Sequence, residues 1–437
     1  MILTRPFRKP FWLINSFFSK HRRLIIAVAV VVTFSLLASK NLLALLPKIK
    51  PTEKIGLIGQ YNLTNLPQSV MQSLGKNLTD ITLSWEILDN ETLYRAHLQP
   101  EASWSDGSQI TSQDIKPEIP GVEISYPDPL TIDFKLKESF SPFLTTLTRP
   151  LIKNNRYTAG DWFIKSIKFS GPFLTAIALS DNQTNRLYRF YPSNESAWLG
   201  FKLGEVNRLE NMISNPLTPA WASKLNLKTQ TNWQQYLAVI FNLKHPQLSN
   251  KSLRQALAYS IKQKSETKEN RAMGPINPLS WAYNPNLKPY DYNPKQAKEL
   301  FAKLETEASN SARLELTLGT SQTFLSLAET IAADWEETLG IKVNVKIINL
   351  IEPDFDAILV AQDIPQDPDQ HALWHSTQPS NLTHYSDLKI DKLLEDGRKI
   401  SDLKKRQEIY QDFQRFLVED TPAIFLRYPT TYTINRR

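Results

Sequence analysis

The sequence predicts an α/β protein of two lobes preceded by a single membrane-spanning helix. Three observations carry this reading: a long apolar stretch set among basic residues near the N-terminus, a first half whose apolar residues alternate as in strands, and a second half that turns to helical periodicity. At 437 residues the chain is long enough for a sizeable core and more than one lobe. A hydrophobic fraction of 41% with 22% charged residues marks a folded protein rather than a disordered one.

The first element is the stretch from Leu24 to Leu46, "LIIAVAVVVTFSLLAS" continued through Lys40 and Asn41 into "LLALL". Read as one unit it is long enough to cross a hydrocarbon core, with Lys40 able to extend its ammonium toward the far interface. Arg22, Arg23 and an upstream basic cluster precede it, and by the positive-inside rule that flank stays in the cytoplasm. This gives a basic cytoplasmic segment over 1–23, a transmembrane helix over 24–46, a linker over 47–53 and an external body. The alternative is a cleaved signal peptide, for which "LLASK" offers small residues. The apolar stretch is longer than the usual signal core, which favours the anchor.

Charge supports that division. The formal net charge is +7, yet residues 1–50 hold nine Lys and Arg and no acid, so everything after Lys50 carries −2. A nearly neutral body has no nucleic-acid footprint. The chain has no cysteine, which excludes a disulfide framework, a thiol nucleophile, thiolate metal ligands and a lipid-modified cysteine anchor.

Beyond Pro51, "KIGLIGQY" suits a buried strand, and "ETLYRAHL" and "LTIDFKLK" alternate as half-exposed strands do. Between Ile164 and Tyr191 three further strand-like runs are separated by Gly-Pro and Asp-Asn turns. "YLAVIFNL", Tyr236 to Leu243, reads as a buried strand, and Leu253, Ala256, Leu257 and Ile261 then share one helical face. Ala328, Ile331, Trp335 and Leu339 form another face, closed by Gly340 and followed at once by the strand "IKVNVKI". Two more helices are predicted around Asp387–Arg398 and Leu403–Val418. Trp85, Trp104 and Trp335 sit within these patterns and are expected in the core.

One stretch contradicts itself. In "SWSDGSQITSQDIKP" a turn is followed by Thr111 and Asp114, the side chains that open a helix. Pro117 and Pro120 then remove backbone donors and push the preceding residues out of the α region.

Taken in order, "LSWEI", "WSDGSQITSQDI", "YLAVIFNL" with "SLRQALAYSI", "GPINPLSWAYNPNLKPYDYNPKQAKELF", "DPDQHALWHS", "IDKLLEDGRK" and "RQEIYQDFQRFLVEDTPAIFLRYP" resemble the extracellular solute-binding proteins of family 5. These are the oligopeptide, dipeptide and nickel binding components of ABC importers. The resemblance runs from about Lys54 to nearly the C-terminus and implies a two-lobed, type II periplasmic-binding-protein-like fold with a discontinuous first lobe. The expected division is 54–235 for a mostly β first lobe, 236–355 for a second α/β lobe, and 356–437 returning to the first. Family members continue from the T-x-x-D cap into a long helix. Here "KPEIPGVEISYPD" bridges directly to the next strand, so the cap survives from a helix shortened to about a turn, and the chain reads as a trimmed member.

The sequence offers no catalytic constellation: it has no Gly-x-Ser-x-Gly elbow, no Gly-rich phosphate loop and no His-Glu-x-x-His helix. His371 and His375 are spaced to share a helix face with Asp367, Asp369 and His384 nearby in sequence, an arrangement conceivable as a metal cluster but more often a packed helix face. In peptide-binding relatives an aspartate at the start of the corresponding loop pairs with the ligand's α-amino group while the preceding strand bonds its backbone, a strand-addition mode. The resemblance assigns that part to Asp363, with Asp367 second, and expects Asp369 to cap the following helix. The tryptophan that relatives carry three residues before the aspartate is replaced by Val360. Trp281 and Tyr283 lie in a Pro-rich segment as loop anchors or walls of the cleft, and Trp281 and Trp374 are expected near the ligand.

The implied function is a membrane-anchored extracellular binding protein without catalytic activity or cofactor. Its partners are a peptide or small solute and an ABC permease, with the membrane reached through the N-terminal helix and no nucleic acid. Two alternatives stand beside it, an anchored surface interaction protein that kept the fold and lost the ligand, and a nickel-type metal binder. An extracellular hydrolase is a distant further one.

Overall fold

Strands and helices of similar total length build the chain from Thr52 onward in a computed structural model that describes residues 50–265, 267–307, 314–348 and 355–436. The predicted span 24–46 lies outside the described residues, and among those described no helix is long and apolar enough to cross a membrane.

Eighteen strands are described in chain order. They begin with β1 (Thr52–Ile58), β2 (Thr82–Leu88), β3 (Leu93–Leu98), β4 (Val122–Asp128), β5 (Thr131–Leu136), β6 (Ile152–Lys153), β7 (Tyr157–Thr158), β8 (Phe163–Ser170), β9 (Phe173–Ser180) and β10 (Asn185–Tyr191). They continue with β11 (Arg208–Met212), β12 (Leu225–Thr231), β13 (Gln235–Phe241), β14 (Glu315–Thr320), β15 (Lys342–Ile347), β16 (Ala357–Asp363), β17 (Ala423–Arg427) and β18 (Thr430–Arg436).

These form three sheets. A nine-stranded sheet runs β12-β18-β11-β1-β10-β9-β8-β7-β6, and a four-stranded antiparallel sheet runs β2-β3-β5-β4. Both belong to the first half of the chain, with β18 added from the C-terminus. A five-stranded sheet, β15-β14-β16-β13-β17, builds the second lobe. The chain crosses between lobes at two short connections, Thr231 to Gln235 and Arg427 to Thr430.

Burial follows the sequence pattern. The run "YLAVIFNL" becomes β13, central in its sheet and buried at every position from Tyr236 to Phe241. Strands flanked on both edges and covered on both faces need such unbroken apolar runs. The helix Lys251–Ser260 buries Leu253, Ala256 and Leu257 against it, and Leu325–Leu339 buries Ala328, Ile331 and Trp335. The latter helix ends on Gly340 at φ +69, the left-handed conformation that glycine adopts without a side-chain penalty and that lets β15 start at once. Trp104 and Trp335 are core residues, and Trp85 packs on Phe134 with ring centroids 6.3 Å apart.

The self-contradicting stretch resolves as expected. A single 3₁₀ turn, Ser112–Asp114, stands where the long helix would begin. Asp114 still accepts from both the backbone N–H and the hydroxyl of Thr111, each at 2.9 Å.

One expectation is corrected. The segment 356–437 was expected to return to the first lobe, with the C-terminal helices packing on the early sheet. Instead β16 and β17 flank β13, and Ile390, Leu394, Tyr410, Phe413 and Leu417 lie in the same buried cluster as that strand. The physical reason is sheet completion: β13 has two hydrogen-bonding edges, and β16 and β17, both from this segment, satisfy them. Only β18 pairs in the nine-stranded sheet, against β11 and β12.

Candidate ligand-binding site

Asp363 is the last residue of β16, and antiparallel register sets it opposite Gln235, the first residue of β13. Ladder bonding places Ile364 N–H on the Gln234 carbonyl at 2.8 Å, so the strand ends where the chain crosses between lobes. The Gln235 amide donates to the Asp363 carboxylate at 2.7 Å. Among the described residues no cation pairs with Asp363. Tyr61, from the first-lobe loop after β1, has its phenol pKa raised by burial and then by the Asp363 charge. Gln234 also donates to Gln68 of the first lobe at 2.5 Å. Asp363 is exposed to solvent, and the side chain that bonds it, Gln235, is neutral.

Asp367 is differently occupied. Arg406, from the helix Leu403–Asp420, donates both terminal nitrogens to its carboxylate, one at 3.0 Å, and its Nε to the Gly397 carbonyl at 2.7 Å. The guanidinium lies over the rings of Trp281 and Tyr410, 5.5 and 5.4 Å from their centroids. Trp281 is half-buried, edge-on to Tyr410 at 6.3 Å, and its carbonyl accepts from Gln407 at 2.6 Å. Thus the structure brings Asp367 and Trp281 together, through an arginine that sequence reasoning did not single out. All the guanidinium donors that face Asp367 are used, a planar two-point match that a lysine does not reproduce.

Asp369 does not take the expected capping position, because the N-cap of the short helix His371–Trp374 is Gln370, one residue later. Asp369 accepts from the His371 N–H at 3.0 Å and sits 3.1 Å from Arg398, while burial raises its pKa. His371 and His375 stack at 4.2 Å. His375 is buried, with Nδ1 within 2.9 Å of the Thr377 hydroxyl. Burial, then Arg398 and His375, push His371 down to about 4. Among the described residues no group of three or more His, Cys, Asp or Glu is placed to hold a metal ion.

Trp374 is not open to a ligand, which corrects that expectation. It is 3% exposed in the second-lobe core, tilted against Phe425 at 6.1 Å. Its indole N–H has no partner and borders a cavity of about 10 Å³ with Tyr236, Gln362 and Thr383. A ring this large fills the space between sheet and helix wherever apolar neighbours surround it. Gln235 and Tyr61 are the residues about Asp363 that the sequence pattern left unmarked. The doublet Gln234-Gln235 directly before a buried strand was the available signal.

Comparison with known proteins follows the same lines. Residues 187–383 match the family model described as bacterial extracellular solute-binding proteins, family 5 Middle. The chain is 27% identical over 276 residues to an oligopeptide-binding protein of Bacillus subtilis, covering 56% of this chain and 50% of that one. With a probable D,D-dipeptide-binding periplasmic protein of Escherichia coli it shares 22% identity over 408 residues, 79% of this chain and 78% of the other. The chain spans about half the length of the first of these relatives. Among solved structures, an ABC transporter substrate-binding protein from Listeria monocytogenes superposes with a TM-score of 0.72 at 19% identity, covering 89% of this chain and 94% of that one. A Campylobacter jejuni protein solved with Ni(L-His) gives 0.71 at 19% identity over the same shares. The fold is the two-lobed α/β fold of these binding proteins, with a first lobe discontinuous in sequence.

Proposed function

We propose that this chain is a membrane-anchored, non-catalytic solute-binding protein that captures a peptide or similar solute between its lobes and presents it to an ABC permease. The observation that carries the reading is Asp363: a carboxylate at the end of a strand, bonded to neutral Gln235 at 2.7 Å. A peptide α-amino group supplies the missing cation, and the strand's end supplies backbone partners for an extended chain. Asp367 has no such part, because Arg406 already neutralises it. The anchor is the stretch Leu24–Leu46, with the body outside the cytoplasm. The proteins it resembles are named as peptide and dipeptide binders, and a nickel-complexed structure stands among its fold neighbours.

A second reading has its own support. A groove of about 530 Å³ is lined by Asn215, Leu217, Pro219 and Leu227 at the edge of the nine-stranded sheet and not by Asp363. A chain that kept the fold but presents a protein-docking surface fits that placement. Calorimetry of the full chain in detergent with free-amine and N-acetylated peptides separates the two. Binding that requires the free amine supports capture, and no binding of any peptide supports the docking reading.

A further inference from the structure

The helix Leu388–Lys399 ends without a glycine: its C-cap, Ile400, is in extended backbone at φ −91. Helix C-termini leave their last carbonyls without intrahelical partners, and here three of them are met by the first-lobe segment that follows β5. The Ser141 N–H donates to the Arg398 carbonyl at 2.7 Å, and its hydroxyl to the Ile400 carbonyl at 2.5 Å. The Ser139 hydroxyl lies 2.8 Å from the Lys399 carbonyl and 3.1 Å from Glu91. Arg398 covers the Phe140 ring at 4.9 Å.

A second feature points to the same place. The β2–β3 hairpin turn holds Asp89, Asn90 and Glu91 consecutively at φ 52, 53 and 67, a conformation that costs each non-glycine residue energy and is kept where surrounding contacts hold it. It delivers the Glu91 carboxylate to both the Ser139 and Ser401 hydroxyls. The strained turn and the helix end thus meet in one contact between the four-stranded sheet and the second lobe.

We propose that this contact is a latch on the interlobe hinge. Residues 91 and 139–141 hold the helix end at 398–401, and rotation about the crossings at 231–235 and 427–430 requires their release. Hinge motion in two-lobed proteins is absorbed by a few residues at such crossings, so a contact that bridges the lobes away from them must break for the lobes to rotate. The device is independent of which ligand, if any, the chain binds.

The absence of cysteine makes the test direct. Spin labels at Glu123→Cys and Lys298→Cys, on the four-stranded sheet and the second lobe, report their separation in the full chain by double electron–electron resonance. The latch predicts that Ser139→Ala/Ser141→Ala, and independently Glu91→Gln, add a longer and broader component to the distance distribution. An unchanged distribution in both folded variants overturns it. Should the double variant not fold, hydrogen exchange of the unaltered chain decides: the Ser141 amide is protected if the latch is closed, and exchange at the rate of an open loop overturns the proposal.

Discussion

Arg406 grips Asp367 in a two-point ion pair whose side chains are 6% and 11% exposed. Such a pair is satisfied only while both partners remain. Removing one partner of a buried pair typically costs about 3–5 kcal/mol, so Arg406→Ala is expected to lower unfolding stability on that scale, with further loss of packing against Trp281 and Tyr410. Urea denaturation of both variants checks it. Asp363→Asn, at an exposed position, should shift stability by less than about 0.5 kcal/mol.

Lys264 predicts a pH dependence. The residue is 7% exposed, its ammonium donates to the Ile261 carbonyl at 3.0 Å, and its pKa is pushed down to about 7 by burial and then by Arg271, against the opposing pull of Asp291 and Asp334. Between that value and the ordinary lysine range the unfolded chain binds the extra proton, so stability rises with pH across this window. Below about pH 7 both states are protonated and the gain is absent. Melting between pH 7 and 9 should show an increase on the order of 2 kcal/mol, and Lys264→Met should raise stability at pH 7 and flatten the slope.

At Gly340 the backbone is left-handed at φ +69 and a Cβ would meet nothing within 4 Å. Gly340→Ala therefore carries a conformational cost and no clash. The expected loss is about 1–2 kcal/mol, read as a lower thermal midpoint with unchanged far-UV circular dichroism.

The proposed topology is open to a separate check. Protease added to intact cells should degrade the body while a cytosolic marker survives. Protection of both would place the body inside.

Much of the fold was legible because its signals are local. Gly340 ends one helix and releases β15, and the six buried residues of β13 announce a central strand. The Thr111–Asp114 cap before Pro117 foretold a helix cut to one turn. The topology of the C-terminal segment was not legible, since which strands complete the edges of β13 depends on pairing across more than a hundred residues. At the site, Asp363 was named only through the resemblance, as the positional match to the relatives' aspartate, and it stands at the end of β16. That Asp367 is spent on Arg406 was not legible, because the partner is distant in sequence and a carboxylate's countercharge leaves no periodic trace. Trp374 misled for a related reason: an aromatic in a loop-rich stretch reads equally as wall or core until the packing is known.

The most direct test of the central claim is calorimetry of the full chain with a free-amine peptide and its N-acetylated form, before and after Asp363→Asn. Neutralising the carboxylate keeps its size and most hydrogen bonding, so it isolates the charge. The expected result is at least about tenfold weaker binding of the free-amine peptide, equivalent to roughly 1.4 kcal/mol, with Asp369→Asn leaving affinity unchanged. Equal affinity of the original chain and Asp363→Asn for the free-amine peptide would contradict the account.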